Sequence, residues 1–387
     1  MPSLLVISSA PAALVDGKPF LDRKFVDGMR FYTDLWDGPV NCLLRVRTGS
    51  FPFGRVYEPG ELPFGVRFLP AGGKPGGQDL AGHDVVLCSG DNHDYLHLAG
   101  MCRRSGQKLV YIIEYIPETR RQIIFLDGAL SLPKKIRSLV WTLGQEVRRR
   151  KAFGLADGLQ ANGYPAFAAY ESVNANVVMY LDNRMGSDLL ATGSEMEARC
   201  RRILDGAPLR LVHSGRLERM KGSQDLIPIA ARLVAMGIDF ELDIFGSGSL
   251  EADLRRDIAA HGLNDRVRLN GVVDFETELV PFARRHADIY LSCHRQSDPS
   301  CTYLESMGCG LAVAGYANRM WAALCQEARA GWAVPLGKVE AMSGVLAEAA
   351  ADRQRLVECC DAAWAFAGAH AFEHEFGRRI EHLRRLA

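Results

Sequence analysis

At 387 residues the chain is too long for one ordinary domain and suits two, each large enough to bury its own core. Its 46 Lys and Arg balance its 46 Asp and Glu, which excludes an all-over nucleic-acid binder, so any basic function is local. The ten cysteines are scattered and only Cys359 and Cys360 adjoin, which fits neither a disulfide framework nor a CxxC zinc site.

MPS runs straight into LLVISS without a basic segment or a cleavage site, and no apolar run reaches bilayer length. A cytoplasmic protein with reduced thiols is therefore expected. Residues 4–9 form a short apolar run ending at Ser8-Ser9-Ala10-Pro11, a buried first strand that leaves into a loop. A helix follows at about 22–36, then strand-like runs at 41–46, 84–88 and 108–113. This alternation predicts a parallel sheet wrapped by helices. Pro and Gly concentrate over 51–77, which is expected to be irregular surface loop.

Two strand ends in this half carry acids. Asp91 ends DVVLCSGD and Glu114 follows the apolar KLVYII, so both stand where an open α/β sheet lines its ligand crevice. The competing role for either is a helix cap. In PKKIRSLVWTLGQEVRRRK (133–151), Ile136, Leu139, Val140, Leu143 and Val147 recur at helical spacing, a stripe expected to pack on the sheet. Trp141 falls off that stripe, beside Lys134, Arg137 and Arg148, and Lys134 and Lys135 sit at the helix start, where the macrodipole disfavours cations. Together these five residues suit contact with an anionic membrane; the alternative is a solvated basic face. Strands at 159–162 and 176–181 complete the half, and the pattern weakens over 184–208.

From Leu209 the alternation restarts. LRLVHS, FELDIF, RVRLNG, DIYLS and LAVAG read as strands separated by helices, a second doubly wound domain. In HSGRLERMKG, Arg216 and Lys221 stand at a crevice where Gly215 and Gly222 allow close backbone approach, which suits a diphosphate. FGSGSL matches a dinucleotide fingerprint only at Gly246 and Gly248, a weak signal for NAD. The stretch ADIYLSCHRQSDPSCTYLESMGCGLAVAGY (287–316) reads as strand, loop, short helix, strand. Asp298 or Ser297 is expected to cap the helix, with Pro299 in its first turn and Gly308 and Gly310 closing it. The N–H groups of Ser300, Cys301 and Thr302 then offer an anion site, and the Glu305 carboxylate, a turn further on, can accept from ligand hydroxyls. A phosphate beside a polyol is a nucleotide or a nucleotide sugar. Cys293, Cys301 and Cys309 recur every eight residues with His294 beside the first, but no metal motif has that spacing; they are read as small buried residues, and no metal is expected.

The order GRLERMKG, LDIFGSGSLEADL, VRLNGVVD, ADIYLSCHRQSDPSCTYLESMGCGLAVAG resembles the nucleotide-sugar domain of retaining glycosyltransferases of the GT-B fold, in particular glycosyltransferase family 4. The resemblance covers about 209–334. It implies an α/β chain of two facing doubly wound Rossmann-like domains: an acceptor domain at 1–184, a linker at 185–208, a nucleotide-sugar domain at 209–370, and a final helix in 371–387 crossing back to the first domain. It also implies that Arg216 and Lys221 hold the donor diphosphate, that Glu305 holds the ribose, and that Gly271 and Val272 meet the base, with Gly215, Gly246, Ser300, Cys301 and Thr302 completing the donor site. Two positions depart from the family pattern. Ser297 stands where a second glutamate is common, with Asp298 as its candidate substitute among the catalytic residues beside Arg216 and Lys221. Glu114 stands where a histidine often touches the donor sugar, so Glu114 and Asp91 are assigned to the acceptor side.

The expected activity is transfer of a hexosyl group from a nucleoside diphosphate sugar to a glycan or lipid-linked acceptor, with retention, in cell-surface polysaccharide or glycolipid synthesis. The expected partners are that donor, that acceptor and an anionic membrane surface on which the protein sits peripherally, with no nucleic acid and no cofactor. The rival readings are a sugar-nucleotide epimerase on the same plan and a nucleotide-sugar-binding protein without catalysis.

Overall fold

The computed structural model describes residues 1–47, 51, 54–58, 60–127, 130–297 and 299–387. Two compact units divide the chain: Met1–Pro117 with Leu132–Tyr180 and Phe376–Ala387, and Glu118–Ser131 with Leu181–Glu375.

In the first unit seven parallel strands lie in the order Val177–Tyr180, Gly158–Asn162, Lys108–Ile113, Val85–Ser89, Leu4–Ile7, Val40–Arg45, Gly65–Leu69. All four residues of Leu4–Ile7 are buried, as an interior parallel strand covered on both faces requires. Numbered by appearance, the order is 7-6-5-4-1-2-3, which is doubly wound. The first helix, Arg23–Leu35, starts at Asp22, whose carboxylate accepts from the Phe25 N–H at 3.0 Å.

Three expectations for the first unit need correction. Within 51–77, Gly65–Leu69 is a parallel edge strand paired with Val40–Arg45; only its last residue is buried, so Arg67 and the flanking Pro and Gly hide it in the sequence. Gly54–Val56 joins a small antiparallel sheet with the hairpin Ala12–Val15 and Lys18–Asp22. The hairpin turns at Asp16-Gly17, both at positive φ (50° and 76°), the type I′ geometry that Asp-Gly favours.

The third correction is the largest. The helix expected at 133–151 runs Leu132–Leu155, but its apolar stripe does not pack on the sheet. Of that stripe Ile136, Val140, Leu143 and Val147 are 55–71% exposed, as is Leu132, and only Leu139 is half-buried. The opposite face is buried instead. Arg149, 2% exposed, donates to the carbonyls of Gly90 (3.1 Å) and Asp91 (3.4 Å) and pairs with Glu146 (3.2 Å), which also accepts from the Tyr170 hydroxyl (3.1 Å). Phe153 is fully buried edge-on against Tyr170 at 5.0 Å.

The second unit holds six parallel strands in the order Val267–Gly271, Phe240–Phe245, Leu209–Ser214, Ile289–Ser292, Ala312–Tyr316, Gly331–Val334, or 3-2-1-4-5-6 by appearance. Ile227, Leu233, Leu242, Ile289 and Leu346 lie in its core at 0% exposure. The stretch 185–208, expected to be a linker, carries a helix, Gly193–Leu204, inside this unit. Its Thr192 and Glu195 make a reciprocal capping box, polar residues that resemble a loop in sequence. Buried Arg199 keys the helix in by donating to the carbonyls of Ala287 (2.9 Å), Cys309 (2.9 Å) and Gly310 (3.0 Å). The last helix, Phe372–Arg384, belongs from Phe376 on to the first unit, where Arg379 donates to Gln160 (2.9 Å) and to the Tyr32 hydroxyl (2.6 Å).

Candidate functional site

In the second sheet Leu209–Ser214 and Ile289–Ser292 are neighbours, and from them the strand order runs out in opposite directions. Such a switch point leaves a crevice beyond the strand carboxyl ends, where ligands bind in open α/β sheets. The loops that follow these two strands carry the predicted diphosphate and phosphate residues.

Close backbone packing holds the loops together. At Gly222 (φ 73°) a Cβ would lie 1.8 Å from the Cys293 carbonyl oxygen, so only glycine lets the loop after the first strand touch the loop after the fourth. Arg295 N–H donates to the Met220 carbonyl (3.1 Å), adding a second tie. Gly246 approaches Gly215 as closely, and its N–H donates to the Gly271 carbonyl (2.6 Å), so three successive strand ends are linked. Glu218 accepts from the Ser249 N–H (3.0 Å) and hydroxyl (2.6 Å), which depresses its carboxyl below the usual range. FGSGSL thus serves to brace the loop of Arg216 and Lys221.

Within this frame Arg216 is exposed and makes no ion pair among the described residues, with its guanidinium 3.8 Å from the Met220 sulfur. Lys221 ends a short 3-10 turn, Arg219–Lys221, and its charge reaches the two buried histidines behind the loop. His213 gives one ring nitrogen to the Leu291 carbonyl (2.9 Å), and burial pushes it down to about 4. His294 is 1% exposed with both ring nitrogens unpartnered, and burial holds it well below the usual histidine range. Both rings are neutral at neutral pH. Val272, just past Gly271, is 65% exposed, an apolar surface at the end of the third strand.

The late helix is shorter than expected. It spans Thr302–Gly308 and begins after Cys301, so Pro299 precedes it and Ser297 does not cap it. Ser297 is instead buried in a side-chain network: its N–H donates to Gln122 (3.1 Å), and its hydroxyl accepts from the Arg319 N–H (3.3 Å) and donates to Glu118 (3.4 Å). Asp298 lies outside the described residues. Ser300 and Thr302 share a hydrogen bond at 2.8 Å, and the Cys301 thiol points to Asp182 at 3.7 Å. Cys293 and Cys309 are buried as expected, whereas Cys301 is half-buried. Among the described residues no group of three or more His, Cys, Asp or Glu is placed to hold a metal ion.

Glu305 is 5% exposed and held by a partner the sequence did not suggest. Arg184 meets it in a fork, Nε to Oε1 at 2.7 Å and a terminal nitrogen to Oε2 at 3.1 Å, while its guanidinium lies 3.8 Å from the centroid of the Phe275 ring. A carboxylate so gripped keeps its remaining lone pairs in a fixed direction for further donors. Arg184 stood at the edge of the expected linker and nothing in its local sequence marked it.

In the first unit Asp91 and Glu114 do come together, at the ends of adjacent strands. The Asp91 carboxylate accepts from the N–H groups of Glu114 (2.9 Å) and Tyr115 (3.2 Å) and so fixes the turn beyond the strand. Lys134, Lys135, Arg137, Trp141 and Arg148 lie apart from that pair on the helix Leu132–Leu155, with Trp141 edge-on to His93 at 4.9 Å.

The segment that builds the switch point is also the one that known proteins share. Residues 198–363 match the glycosyl transferases group 1 model. Over 97 residues the chain is 34% identical to an alpha-D-kanosaminyltransferase of Streptomyces kanamyceticus, covering 25% of each chain. Over 151 residues it is 31% identical to the amylovoran biosynthesis glycosyltransferase AmsK of Erwinia amylovora, covering 36% of this chain and 35% of that one. The matched stretches thus span a quarter to about a third of those relatives. The fold match extends further. The crystal structure of Anabaena HepE in complex with UDP superposes over 100% of both chains with a TM-score of 0.66 at 15% identity. Two Rossmann-like units with parallel sheets and this likeness give the chain the GT-B fold.

Proposed function

We propose that the protein is a retaining glycosyltransferase of family 4 that moves a hexosyl group from a nucleoside diphosphate sugar to a glycan or lipid-linked acceptor. The observation that carries this is the meeting, at one switch point, of a glycine-locked loop bearing Arg216 and Lys221 with a late helix bearing the clamped Glu305. In this reading Glu305 accepts from the ribose hydroxyls, Gly271 and Val272 face the base, and the backbone at Ser300, Cys301 and Thr302 meets phosphate.

As the bond from the sugar to the diphosphate breaks, negative charge grows on the leaving oxygen. Arg216 and Lys221 stand ready to take it up, and donors placed in advance stabilise a developing charge without reorganising. Two cations suffice to offset this charge, so turnover is expected to persist in the presence of a chelator. Ser297 is held by Gln122, Glu118 and Arg319, and the neighbouring Asp298 is the acid that the family resemblance suggests for the donor sugar. The setting is the synthesis of cell-surface polysaccharide or glycolipid, with Asp91 and Glu114 on the acceptor side.

The test is a donor screen. The protein is incubated with a panel of nucleoside diphosphate sugars and released nucleoside diphosphate is measured. Release by transfer or slow hydrolysis is expected with one donor. A changed sugar without release means an epimerase instead, and binding without either change means a non-catalytic binder.

A further inference from the structure

We propose that the helix Leu132–Leu155 is a docking surface for an anionic lipid bilayer, its outward apolar stripe entering the acyl boundary and its flanking cations meeting the headgroups. The helix is turned inside out relative to an ordinary surface helix. Its polar side chains Ser138, Thr142, Gln145, Glu146 and Arg149 face the unit, and Arg149 is pinned there by two backbone carbonyls and Glu146. Folding therefore cannot rotate the stripe inward without stripping a buried guanidinium of its partners.

The stripe is narrow and regular. At about 100° per residue, Leu132, Leu143, Ile136, Val147 and Val140 fall within about 80° of one another, and all five are more than half exposed. Such a contiguous apolar face marks an interaction site.

Charge identifies the occupant. Lys151, Arg137 and Arg148 follow directly on one side of the stripe, at about 100°, 140° and 160° from Leu132, and all three are exposed. Lys134 and Trp141 lie beyond them, Trp141 leaning on His93 and so at the border of the contact. Over its whole length the helix holds seven Lys and Arg against the single Glu146. An apolar face bordered by cations is the pattern of a helix lying in the plane of an anionic interface. Among the described residues no helix is long and apolar enough to cross a membrane, which suits docking and not spanning.

This surface belongs to the first unit, and its test needs neither donor nor acceptor, so it stands or falls apart from the glycosyl-transfer reading. The protein is floated with vesicles of phosphatidylcholine alone and of phosphatidylcholine with an equal part of phosphatidylglycerol. Binding to the anionic vesicles is expected, at least tenfold above the neutral ones. The double substitution V140E/L143E sits at exposed positions, so melting should be unchanged while binding is lost. A cation near an anionic surface strengthens binding by about fivefold, so replacing Arg137, Arg148 and Lys151 by Gln should weaken it by roughly a hundredfold. No binding to anionic vesicles, or equal binding by V140E/L143E, overturns the proposal. So does a dimer in sedimentation that V140E/L143E dissolves, because a second copy would then cover the stripe.

Discussion

The Arg184 to Glu305 pair makes a prediction that can be worked from geometry. Glu305 is 5% exposed, but the Arg184 side chain is 43% exposed, so the pair lies between two limits. Removing one partner of a fully buried pair costs about 3–5 kcal/mol, whereas an exposed pair is worth about 0–1 kcal/mol. A fork geometry with one buried partner places the coupling near 2 kcal/mol, and loss of the guanidinium from the Phe275 face adds about 0.5–1 kcal/mol. Arg184→Ala should therefore destabilise the second unit by about 2–3 kcal/mol. In a Glu305→Gln background the same substitution should cost about 1 kcal/mol, because the buried charge it orphans is gone. The assay is urea unfolding of the four proteins by tryptophan fluorescence, dominated by the second unit, which holds Trp321, Trp332 and Trp364 of the five tryptophans. The same four proteins are then titrated with the nucleoside diphosphate that the donor screen identifies. Arg184→Ala should bind about tenfold more weakly, because the carboxylate loses its fixed direction. A coupling energy under about 0.5 kcal/mol would refute the idea that Arg184 orients Glu305, and tighter nucleotide binding by Arg184→Ala would show that the arginine obstructs the site instead.

Three further outcomes are expected. A charge-assisted hydrogen bond is worth roughly 1.5–3 kcal/mol, so Lys221→Ala should weaken binding of the donor's nucleoside diphosphate by about tenfold or more in calorimetry and leave the free nucleoside unchanged; equal losses would remove Lys221 from the diphosphate. Burial alone pushes the Glu195 carboxyl up, but the Thr192 N–H, the Arg284 guanidinium at 2.5 Å and the Thr192 hydroxyl outweigh it and hold it down at about 2. A depressed acid stabilises above its unfolded value of 4.5 and loses that contribution as pH falls through 2; with solvent screening of a group at the surface, about 1–2 kcal/mol should go between those limits. Glu195→Gln should flatten that part of the stability curve against pH, and parallel curves would contradict the assignment. Asp298→Asn keeps a side chain that can cap a backbone N–H, so a carboxylate serving the donor sugar should lose turnover with nucleotide affinity intact; full transfer activity would send attention to Glu114.

Much of the second unit was legible because its strands are short, mostly apolar runs, several of them ending at a glycine, and a parallel strand largely buried on both faces leaves that mark. LRLVHS and FELDIF became Leu209–Ser214 and Phe240–Phe245 to the residue. The first unit was harder to read. Gly65–Leu69 is an edge strand with one buried residue, so little apolar pattern was needed to form it, and the sign of the hairpin was only the Asp16-Gly17 turn. The helix at Gly193–Leu204 was missed for a similar reason: TGSE reads as loop until its capping box is recognised, and Arg199 buries a charge that hydropathy counts as exposed. At the candidate site, local motifs pointed to Arg216, Lys221 and Glu305, but the clamp on Glu305 comes from 121 residues away, a distance no motif spans.

The helix Leu132–Leu155 shows what periodicity leaves open. A stripe at helical spacing says that one face is apolar; it does not say which way that face points. Orientation follows from competition between the two faces for the interior. The apolar face of five aliphatic side chains would ordinarily win, since burying one is worth about 1.5–3 kcal/mol. Here the opposite face holds Phe153 and Ala152 at its carboxyl end and Arg149 one turn before Phe153, and the guanidinium finds the Gly90 and Asp91 carbonyls waiting at a strand end. Those carbonyls need donors as much as the arginine needs acceptors, so the polar face closes a hydrogen-bond account that the apolar face would leave open. Arg149→Ala should release that hold and take from the buried Gly90 carbonyl its Arg149 donor, lowering the stability of the first unit while the stripe, already in solvent, loses nothing directly. A helix that keeps five aliphatic side chains in water while its polar face is buried is what the proposed bilayer docking requires, and the cations that border the stripe fit a bilayer surface better than a protein core.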